Sequence, residues 1–425
     1  MTPEGLYASP NALALHYRRF RVAERMLLTG HSHQAWPDVG LEAQQRAWLD
    51  AAEYADDKWE QAFAVADRVR RGFARLLDDS NGAIALGANT HELVVRWLSA
   101  LPLGRRPRLV TTTGEFHTIR RQLDRLAEEG ISVVKVPALP AATLAQRLAQ
   151  TADGRTAAVL VSAVLYGNAH IVPRLGQVLD ACQQVGAELL VDAYHALNVV
   201  PFSLRKEQLA GAFVVGGGYK YCQLGEGNCF LRVPADCTLR PVITGWFSEF
   251  EMLAAGEPAT PVAYGPGTAR FAGATYDPTS HYRAARVFDF FEEQKLTPEL
   301  LRSVSQHQVD VLARAFDALD ADPRVIARDR GVTLSELGGF LALRSPGAAE
   351  LSRRLRQRDV WTDYRADVLR FGPAPYLSDA QLGDAMHALG SVIRELGTRK
   401  RLSRKKSCSS RPHSSSSTPP ITFTR

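Results

Sequence analysis

The sequence predicts an α/β fold with a mostly parallel, seven-stranded sheet in a large domain and a smaller α+β domain after it. Two observations lead to this prediction. Between about residues 80 and 235, short apolar runs alternate with stretches of helical periodicity. A helix-rich segment at about 280–320 is then followed by a second, shorter set of strand-like runs. Continuous apolar strands separated by helices are typical of a parallel sheet that is covered on both faces.

The elements follow from this alternation. Seven runs have the length and composition of buried strands: 83–86, 108–112, 133–136, 157–161, 188–191, 212–215 and 229–233. Helical patterns lie between several of them, at 92–101, 119–129 and 175–185. Two further candidate strands, 339–344 and 368–371, mark the smaller domain. We therefore predict four parts: an N-terminal segment packing with the small domain (1–50), the large domain (51–290), the small C-terminal domain (291–397) and a disordered tail (398–425).

Composition limits the classes of function. The 425 residues are 45% hydrophobic, so the chain can bury a large core. No apolar run approaches the roughly 20 residues that span a bilayer, and the N-terminus lacks the basic-then-apolar order of a secretory signal. The five cysteines are irregularly spaced without a C-x-x-C pair, which favours neither a disulfide framework nor a zinc site. We expect a cytoplasmic protein with reduced thiols, no metal and no membrane partner.

The net charge of +6 comes from the tail. Residues 398–425 contain eight Lys or Arg and no acid, whereas the rest of the chain has 43 basic and 45 acidic side chains. The tail is basic and Ser-rich and has almost nothing to bury, which is why we predict disorder there. One interpretation is a solvated tail, and the other is non-specific binding of nucleic acid or anionic lipid.

Two strand ends carry residues suited to chemistry. The apolar run 189–191 leads into Asp192, and His195 follows three residues later. A buried carboxylate is costly unless it meets a cation or hydrogen-bond donors. The protonated ring nitrogen of pyridoxal phosphate (PLP) is such a cation, and the pair keeps the ring an electron sink. The alternative is that Asp192 caps the following turn.

The next strand runs into three glycines and then Lys220, which lies between Tyr219 and Tyr221. Glycines let the backbone turn sharply and approach a flat ligand closely. A lysine placed there can lose its proton by desolvation and attack an aldehyde, although a solvated lysine is the plain alternative. Asp192 and Lys220, 28 residues apart on successive strand ends, together predict PLP bound as a Schiff base on Lys220.

These segments resemble a known family. The runs V-D-A-Y-H-A-L-N-V-V-P-F from Val191 and G-G-G-Y-K-Y-C-Q-L-G-E-G-N-C-F-L-R-V-P from Gly216 resemble the class V aminotransferase superfamily of PLP enzymes, and within it kynureninase. Kynureninases have W-D-L-A-H-S-x-G-x-x-P and S-Y-K-Y-L-N-x-G-P-G there. Looser matches are G-H-S at 30–32, T-G-W-F at 244–247 and the stretch at 270–275. The similarity covers roughly residues 25–390 and implies the aspartate-aminotransferase-like fold and a homodimer.

The resemblance also implies roles for individual residues. Lys220 would carry the cofactor and move protons, Asp192 would pair with the pyridine nitrogen, and His195 would lie near the ring. Tyr219 would reach the phosphate and donate a proton. These four are the candidate catalytic residues, and all four would also bind the cofactor.

Four further cofactor contacts and one substrate contact are implied. Asn89 and Thr90, at the start of a helix, would hold the phosphate through side chains and helix N-terminal amides. Phe116 would stack on the ring, Thr275 would reach the phosphate from the other subunit, and Trp246 would line the substrate pocket. Structural alternatives remain: Thr90 as a helix cap, Phe116 as core and His195 as a packed histidine.

Arg370 is the candidate for the substrate's α-carboxylate. It lies in V-L-R-F-G-P-A-P, a short strand that ends in a Pro-rich turn, and kynureninases have an arginine before a similar turn. An arginine can grip a carboxylate through two parallel hydrogen bonds. Arg365 is the nearer rival, and a surface arginine is the plain alternative.

Departures from the kynureninase pattern concern the substrate pocket. The chain has E-F-H-T-I at 115–119 where kynureninases have N-F-P-T-D, so the acid of that motif is absent. Val191 replaces a tryptophan, and the asparagine that helps read the aromatic ring of kynurenine is replaced within A-G-A at 272–274. The cofactor residues are kept while the side-chain pocket differs.

We therefore predict a PLP-dependent enzyme that acts on an amino acid. The most specific prediction is kynureninase-like hydrolysis of a Cβ–Cγ bond in a γ-oxo amino acid, which releases alanine and a carboxylic acid. The alternatives within PLP chemistry are an aminotransferase and a β-eliminating lyase. A cysteine-desulfurase role ranks low because no cysteine lies between residues 238 and 407. Outside enzymes, the alternative is a nucleic-acid-binding protein that acts through the basic tail.

Overall fold

The structure is a computed structural model that describes residues 1–79, 83–255 and 261–409. The α-helices of the described chain are α1 (Pro3–Tyr7), α2 (Val39–Tyr54), α3 (Lys58–Leu76), α4 (Thr90–Ala100), α5 (His117–Glu128), α6 (Leu144–Thr151), α7 (Gly176–Val185), α8 (Thr279–Glu293), α9 (Pro298–Asp317), α10 (Ala348–Arg356) and α11 (Asp379–Ser409). Its strands are β1 (Met26–Leu27), β2 (Ile84–Gly87), β3 (Arg108–Thr112), β4 (Ser132–Val136), β5 (Thr156–Ser162), β6 (Glu188–Asp192), β7 (Phe213–Gly217), β8 (Cys229–Arg232), β9 (Ala327–Arg328), β10 (Leu341–Arg344), β11 (Val360–Trp361), β12 (Asp363–Arg365) and β13 (Val368–Phe371).

The central sheet has seven strands in the order β2-β8-β7-β6-β5-β3-β4. The strand pairs β7–β6, β6–β5, β5–β3 and β3–β4 are parallel. Only β8 is antiparallel to its two neighbours, β2 and β7. The predicted mostly parallel α/β fold is therefore confirmed. All seven predicted strands and the three predicted helices are found within two residues of their expected bounds, because each apolar run is long enough for one buried strand.

The sheet is apolar on both faces. In β6, Leu189 and Val191 pack into one hydrophobic cluster, while Leu190 between them packs into another on the opposite face. β5 alternates in the same way, with Val159 facing the first cluster and Leu160 the second. Side chains of successive strand residues point to opposite faces, so these continuous apolar runs require helices on both sides of the sheet.

The C-terminal part contains a four-stranded antiparallel sheet in the order β12-β13-β10-β9. The N-terminal residues lie against it: β1 pairs with β11, the Asn11 side chain donates to the Pro375 carbonyl at 2.9 Å, and the Gly30 amide donates to the Gly372 carbonyl at 2.8 Å. The predicted boundary at residue 50 falls inside α2, however. That helix packs on α8, where the Tyr282 hydroxyl donates to Asp50 at 2.7 Å.

The predicted tail differs in part from the structure. Helix α11 extends to Ser409 and so includes the first residues of the segment that we expected to be disordered from residue 398. The remainder of that tail, 410–425, lies outside the described residues. Among the described helices, none combines the length and the apolar character that a membrane span requires.

Candidate active site

The candidate site lies where β6 and β7 end. These strands are parallel neighbours, and Asp192 at the end of β6 is in register with Val215 of β7. The chain leaves β7 at Gly217 and reaches Lys220 three residues later. In open α/β sheets, ligands bind at the carboxyl ends of the strands. The two residues singled out from the sequence therefore lie at the same edge of the sheet.

Lys220 is buried, with 4% of its surface exposed, and is the only buried lysine among those whose side chains the structure describes. Its Nζ lies 2.7 Å from Nε2 of His195 and 4.6 Å from the ring centre of Tyr194. Burial lowers the pKa of Lys220 to about 7, and the negative charge of Asp192 opposes this shift. A large fraction of the amine is therefore uncharged near neutrality, which nucleophilic attack on an aldehyde requires.

Asp192 is buried as well, and burial raises its pKa while the Tyr194 amide and the charge of Lys220 oppose the rise. Oδ1 accepts a hydrogen bond from the Tyr194 amide at 2.8 Å. Asp192 therefore caps the following turn, as the alternative interpretation predicts, but it does so with only one of its two carboxylate oxygens. In the described part of the chain, no basic nitrogen lies within ion-pair distance of Asp192. Its second oxygen is thus suited to a cationic group of a ligand, such as a protonated pyridine nitrogen.

His195 and Phe116 complete the surroundings of Lys220. The imidazole of His195 is buried, which lowers its pKa well below the usual value, so the ring is neutral. Its centre lies 6.4 Å from that of Phe116, and the Phe116 centre lies 5.2 Å from Nζ of Lys220. Phe116 is the half-buried residue just before α5. Both residues border the space beside the lysine, although His195 is packed and hydrogen-bonded at the same time.

The N-terminus of α4 differs in detail from the sequence prediction. Asn89, not Thr90, is the N-cap: its Oδ1 accepts from the Glu92 amide at 2.9 Å and its Nδ2 donates to the Glu92 carboxylate at 2.9 Å. Thr90 is the first helical residue, and its amide contacts the buried thiol of Cys229. That thiol lies 3.8 Å from the Tyr194 hydroxyl. Cys229 and Tyr194 thus link the N-terminus of α4 to Lys220 and the residues around it, which we call the lysine cluster.

Arg370 is buried beside the cluster, and its positive charge contributes to lowering the pKa of Lys220. The guanidinium is already paired, since Nε and Nη2 donate to Asp363 at 2.9 and 2.5 Å and Nη1 donates to the Tyr166 carbonyl at 2.7 Å. Asp363 also receives a 2.7 Å contact from Nε2 of His31. Two of the five N–H groups of Arg370 remain for a substrate carboxylate. Arg365, the rival, is exposed.

The structure leaves two predicted residues outside these contacts. Trp246 begins a 3₁₀-helix (Trp246–Ala255), is 43% exposed, and makes its ring contacts with Phe247 and Phe250. Thr275 is exposed in the loop before α8. Tyr219, by contrast, is half-buried beside the cluster: its ring centre lies 5.6 Å from Nζ of Lys220, and burial raises its pKa to about 12.

Several residues of the cluster escaped the sequence analysis. Five residues contact predicted site residues or affect their pKa through charge: Tyr194, Tyr166, Asp363, His31 and Glu115. Tyr194 and His31 stand inside segments that carry the family resemblance, and that signal could have identified them. Asp363 is brought to Arg370 by the antiparallel pairing of β12 and β13, whereas no sequence signal brings Tyr166 to Arg370, because the two are 204 residues apart.

Comparison with known proteins finds one partial sequence match and several solved structures of similar fold. The sequence model of the kynureninase C-terminal domain matches residues 301–389, about a fifth of the chain, and this stretch includes Arg370. A solved mutant of C-DES with glycine covalently linked to its PLP cofactor has a TM-score of 0.77 at 16% identity, over 88% of this chain and 98% of that one. This chain shares the fold of that PLP-binding protein.

Two other solved structures have a similar fold. The complex of the cystine C–S lyase C-DES with its product cysteine persulfide has a TM-score of 0.75 at 17% identity, over 87% of this chain and 98% of that one. The cysteine desulfurase CsdA from Escherichia coli has a TM-score of 0.73 at 14% identity, over 91% and 98%. No curated protein sequence matches the chain significantly. At these identities the structural likeness establishes the fold alone.

Proposed function

We propose that this protein is a PLP-dependent enzyme acting on an amino acid, with the cofactor held covalently by Lys220. The observation that carries the proposal is the presence, at one end of the sheet, of a buried lysine of pKa about 7 and a buried carboxylate that has no basic nitrogen within ion-pair distance in the described chain. PLP would supply an aldehyde for the amine, a ring nitrogen for the carboxylate and an electron sink for the reaction.

Each residue of the site would have a separate role in the reaction. Lys220 would take the proton from Cα of the substrate, because its amine is uncharged in part near neutrality. His195 would hold Nζ in place through the 2.7 Å contact, and Asp192 would orient the ring through its free oxygen. Phe116 would lie against the ring, and Asn89 and Thr90 would hold the phosphate at the positive end of α4.

For the reaction itself, we propose hydrolysis of a Cβ–Cγ bond in a γ-oxo amino acid. The kynureninase C-terminal match, which contains Arg370, supports it. The second candidate is β-elimination, which the likeness in fold to a C–S lyase favours; transamination is the third. A desulfurase that uses a cysteine nucleophile is disfavoured, since no cysteine occurs between 238 and 407 and burial raises the pKa of Cys229 to about 12.

Product analysis by mass spectrometry should decide among these reactions. We expect alanine release from a γ-oxo amino acid other than kynurenine, and weak or undetectable anthranilate from kynurenine, because the polar residues that read its ring are replaced. The panel should include γ-oxo, sulfur-containing and ordinary amino acids, each with and without a keto-acid acceptor. Transfer of the amino group to the acceptor, without carbon–carbon cleavage anywhere in the panel, would make the protein an aminotransferase.

Arg370 and Arg365 form a matched pair for testing carboxylate recognition. Arg370→Ala should raise KM for the best substrate by at least about tenfold, because the substrate carboxylate would lose a buried charged partner. Arg365→Ala should change KM by less than about twofold, since that side chain is exposed on β12. Steady-state kinetics of both variants provide the measurement. The reverse order of effects would assign the carboxylate to Arg365.

We also propose a homodimer in the cytoplasm, without nucleic acid as a partner. Large apolar side chains are exposed close to Thr275: Val242, Ile243, Trp246, Phe250 and Val262. The Phe247 amide donates to the Gly273 carbonyl at 3.1 Å, which joins this patch to the Thr275 loop. Exposed apolar patches of this kind mark protein interfaces. A fully active monomer at micromolar concentration in sedimentation velocity would contradict the dimer.

A further inference from the structure

Glu115 is a buried acid that the proposed chemistry does not yet use. It stands in the turn between β3 and α5, directly before Phe116, and only 2% of it is exposed. Oε1 accepts from the Thr112 hydroxyl at 2.6 Å and from the Ser162 amide at 3.2 Å, and Oε2 accepts from the Ser162 hydroxyl at 2.6 Å. The carboxyl group therefore ties the end of β3 to the end of β5.

This position brings Glu115 close to the charge of Asp192. Ser162, which bonds both oxygens of Glu115, is in register with Asp192 on the neighbouring strand. Asp192 acts on Glu115 and helps to raise its pKa to about 7, although burial is the larger cause. Two ionised carboxylates that lie close together in a buried site repel each other strongly.

The other groups around Glu115 do not compensate its charge. Thr112 and Ser162 are neutral donors, the adjoining Gly114 and Phe116 are uncharged, and His117 in α5 is exposed. The positive charge of Lys220 acts on Asp192. Glu115 thus lies at the end of a short series of interacting groups that reaches through Asp192 to the lysine.

We propose that Glu115, held between the ends of β3 and β5 and close to Asp192, is a positioning residue that sets the charge at the Asp192–Lys220 site: it is protonated on the acid side of neutrality and adds a second negative charge beside Asp192 on the alkaline side. This inference rests on the proposed function and adds a pH-dependent control of the same site. A second negative charge stabilises positive charge on the groups around Lys220. Loss of that charge should therefore lower the pH at which the lysine–cofactor linkage loses its proton.

Glu115→Gln is the direct test because it removes the charge and keeps the hydrogen bonds. The amide oxygen can accept from Thr112 and the Ser162 amide, while the amide nitrogen donates to the Ser162 hydroxyl. We expect the pH midpoint of the bound cofactor's visible absorbance to fall by at least about half a unit. The affinity for PLP, measured by fluorescence titration of the apo-protein, should also depend less on pH between about 6 and 8. Glu128→Gln, at the exposed end of α5, is the control. It should change neither the pH midpoint of the absorbance nor the pH dependence of the PLP affinity.

A second measurement needs no cofactor. Because the pKa of Glu115 is raised in the folded state, its contribution to stability is present at pH 4.5 and below and is lost as the pH rises to about 7. The apo-form of Glu115→Gln should therefore gain thermal stability relative to the wild type between about pH 5 and pH 8. If the Glu115→Gln substitution impairs folding, Ser162→Ala serves instead: it removes a donor to the ionised form and should move the wild-type transition to higher pH.

The outcomes separate the two proposals. If PLP gives the wild type no visible band, the proposed function fails, and the apo-stability measurement alone decides on Glu115. If the band forms but the absorbance midpoint of Glu115→Gln matches that of the wild type, the control by Glu115 is wrong and the function stands. An apo-stability difference that does not change with pH would show that Glu115 does not exchange its proton in this range, which also overturns the inference.

Discussion

Lys220→Ala should abolish turnover, with a loss of at least about 10⁴-fold in kcat. A positioned proton-transfer group contributes about 10²–10⁴-fold by itself, and this variant would also lose the covalent attachment of the cofactor. No other lysine whose side chain the structure describes can replace it, because the others are half-buried or exposed and only Lys220 lies beside Asp192 and His195.

The covalent attachment of PLP to Lys220 can be measured independently of kcat. Borohydride should bleach the visible band of the wild type, and peptide mapping should then find the reduced adduct on Lys220. Lys206→Ala is the control. It removes an exposed lysine and should keep both the visible absorbance band and the turnover rate of the wild type. An adduct on any other lysine, or normal turnover by Lys220→Ala, would refute the assignment.

Asp192→Asn should retain PLP but lose at least about a hundredfold in rate. The amide keeps an oxygen for the Tyr194 amide, so the turn after β6 should survive. It cannot, however, hold the ring nitrogen in its protonated form, and the electrostatic stabilisation of developing charge is lost. Absorbance and fluorescence report whether PLP is bound, and single-turnover kinetics with the best substrate report the rate.

A matched variant separates this role from the general effect of removing an acid. Asp180→Asn changes an exposed carboxylate on α7 and should leave the rate within about twofold of the wild type. Near-normal turnover by Asp192→Asn would leave turn capping as the only function of Asp192.

The sequence was a reliable guide wherever one local pattern decides the structure. The runs that became β6 and β7 are apolar at nearly every position, and such runs can only be strands buried on both faces when helices flank them. Asp192 and Lys220 follow those runs directly, so the parallel arrangement was enough to bring them to one edge. The family resemblance added Phe116 and His195, both of which the structure places beside Lys220.

The prediction was incomplete where the partners of a side chain depend on how the backbone is arranged around it. The sequence marks Arg370 as the candidate for the substrate carboxylate, yet its guanidinium is already held by Asp363 on the paired strand β12 and by the carbonyl of Tyr166, which is 204 residues away. Similarly, Thr90 looked like a helix cap, but the backbone enters α4 so that Asn89 takes that position. Trp246 was assigned to the pocket, and its ring contacts are with its own segment.

By itself, the sequence determined the α/β class, the order of strands and helices along the chain, and the two strand ends that carry Asp192 and Lys220. Only the tertiary structure decided the electrostatics of the site. Burial and neighbouring charges set the pKa of Lys220 and of Glu115, and both causes depend on which elements pack together. Glu115 shows the difference: it reads as an ordinary acid in E-F-H-T-I, and its pKa is raised mainly because the fold buries it, with a further contribution from the charge of Asp192 on β6, while the hydrogen bonds from Ser162 on β5 oppose the rise.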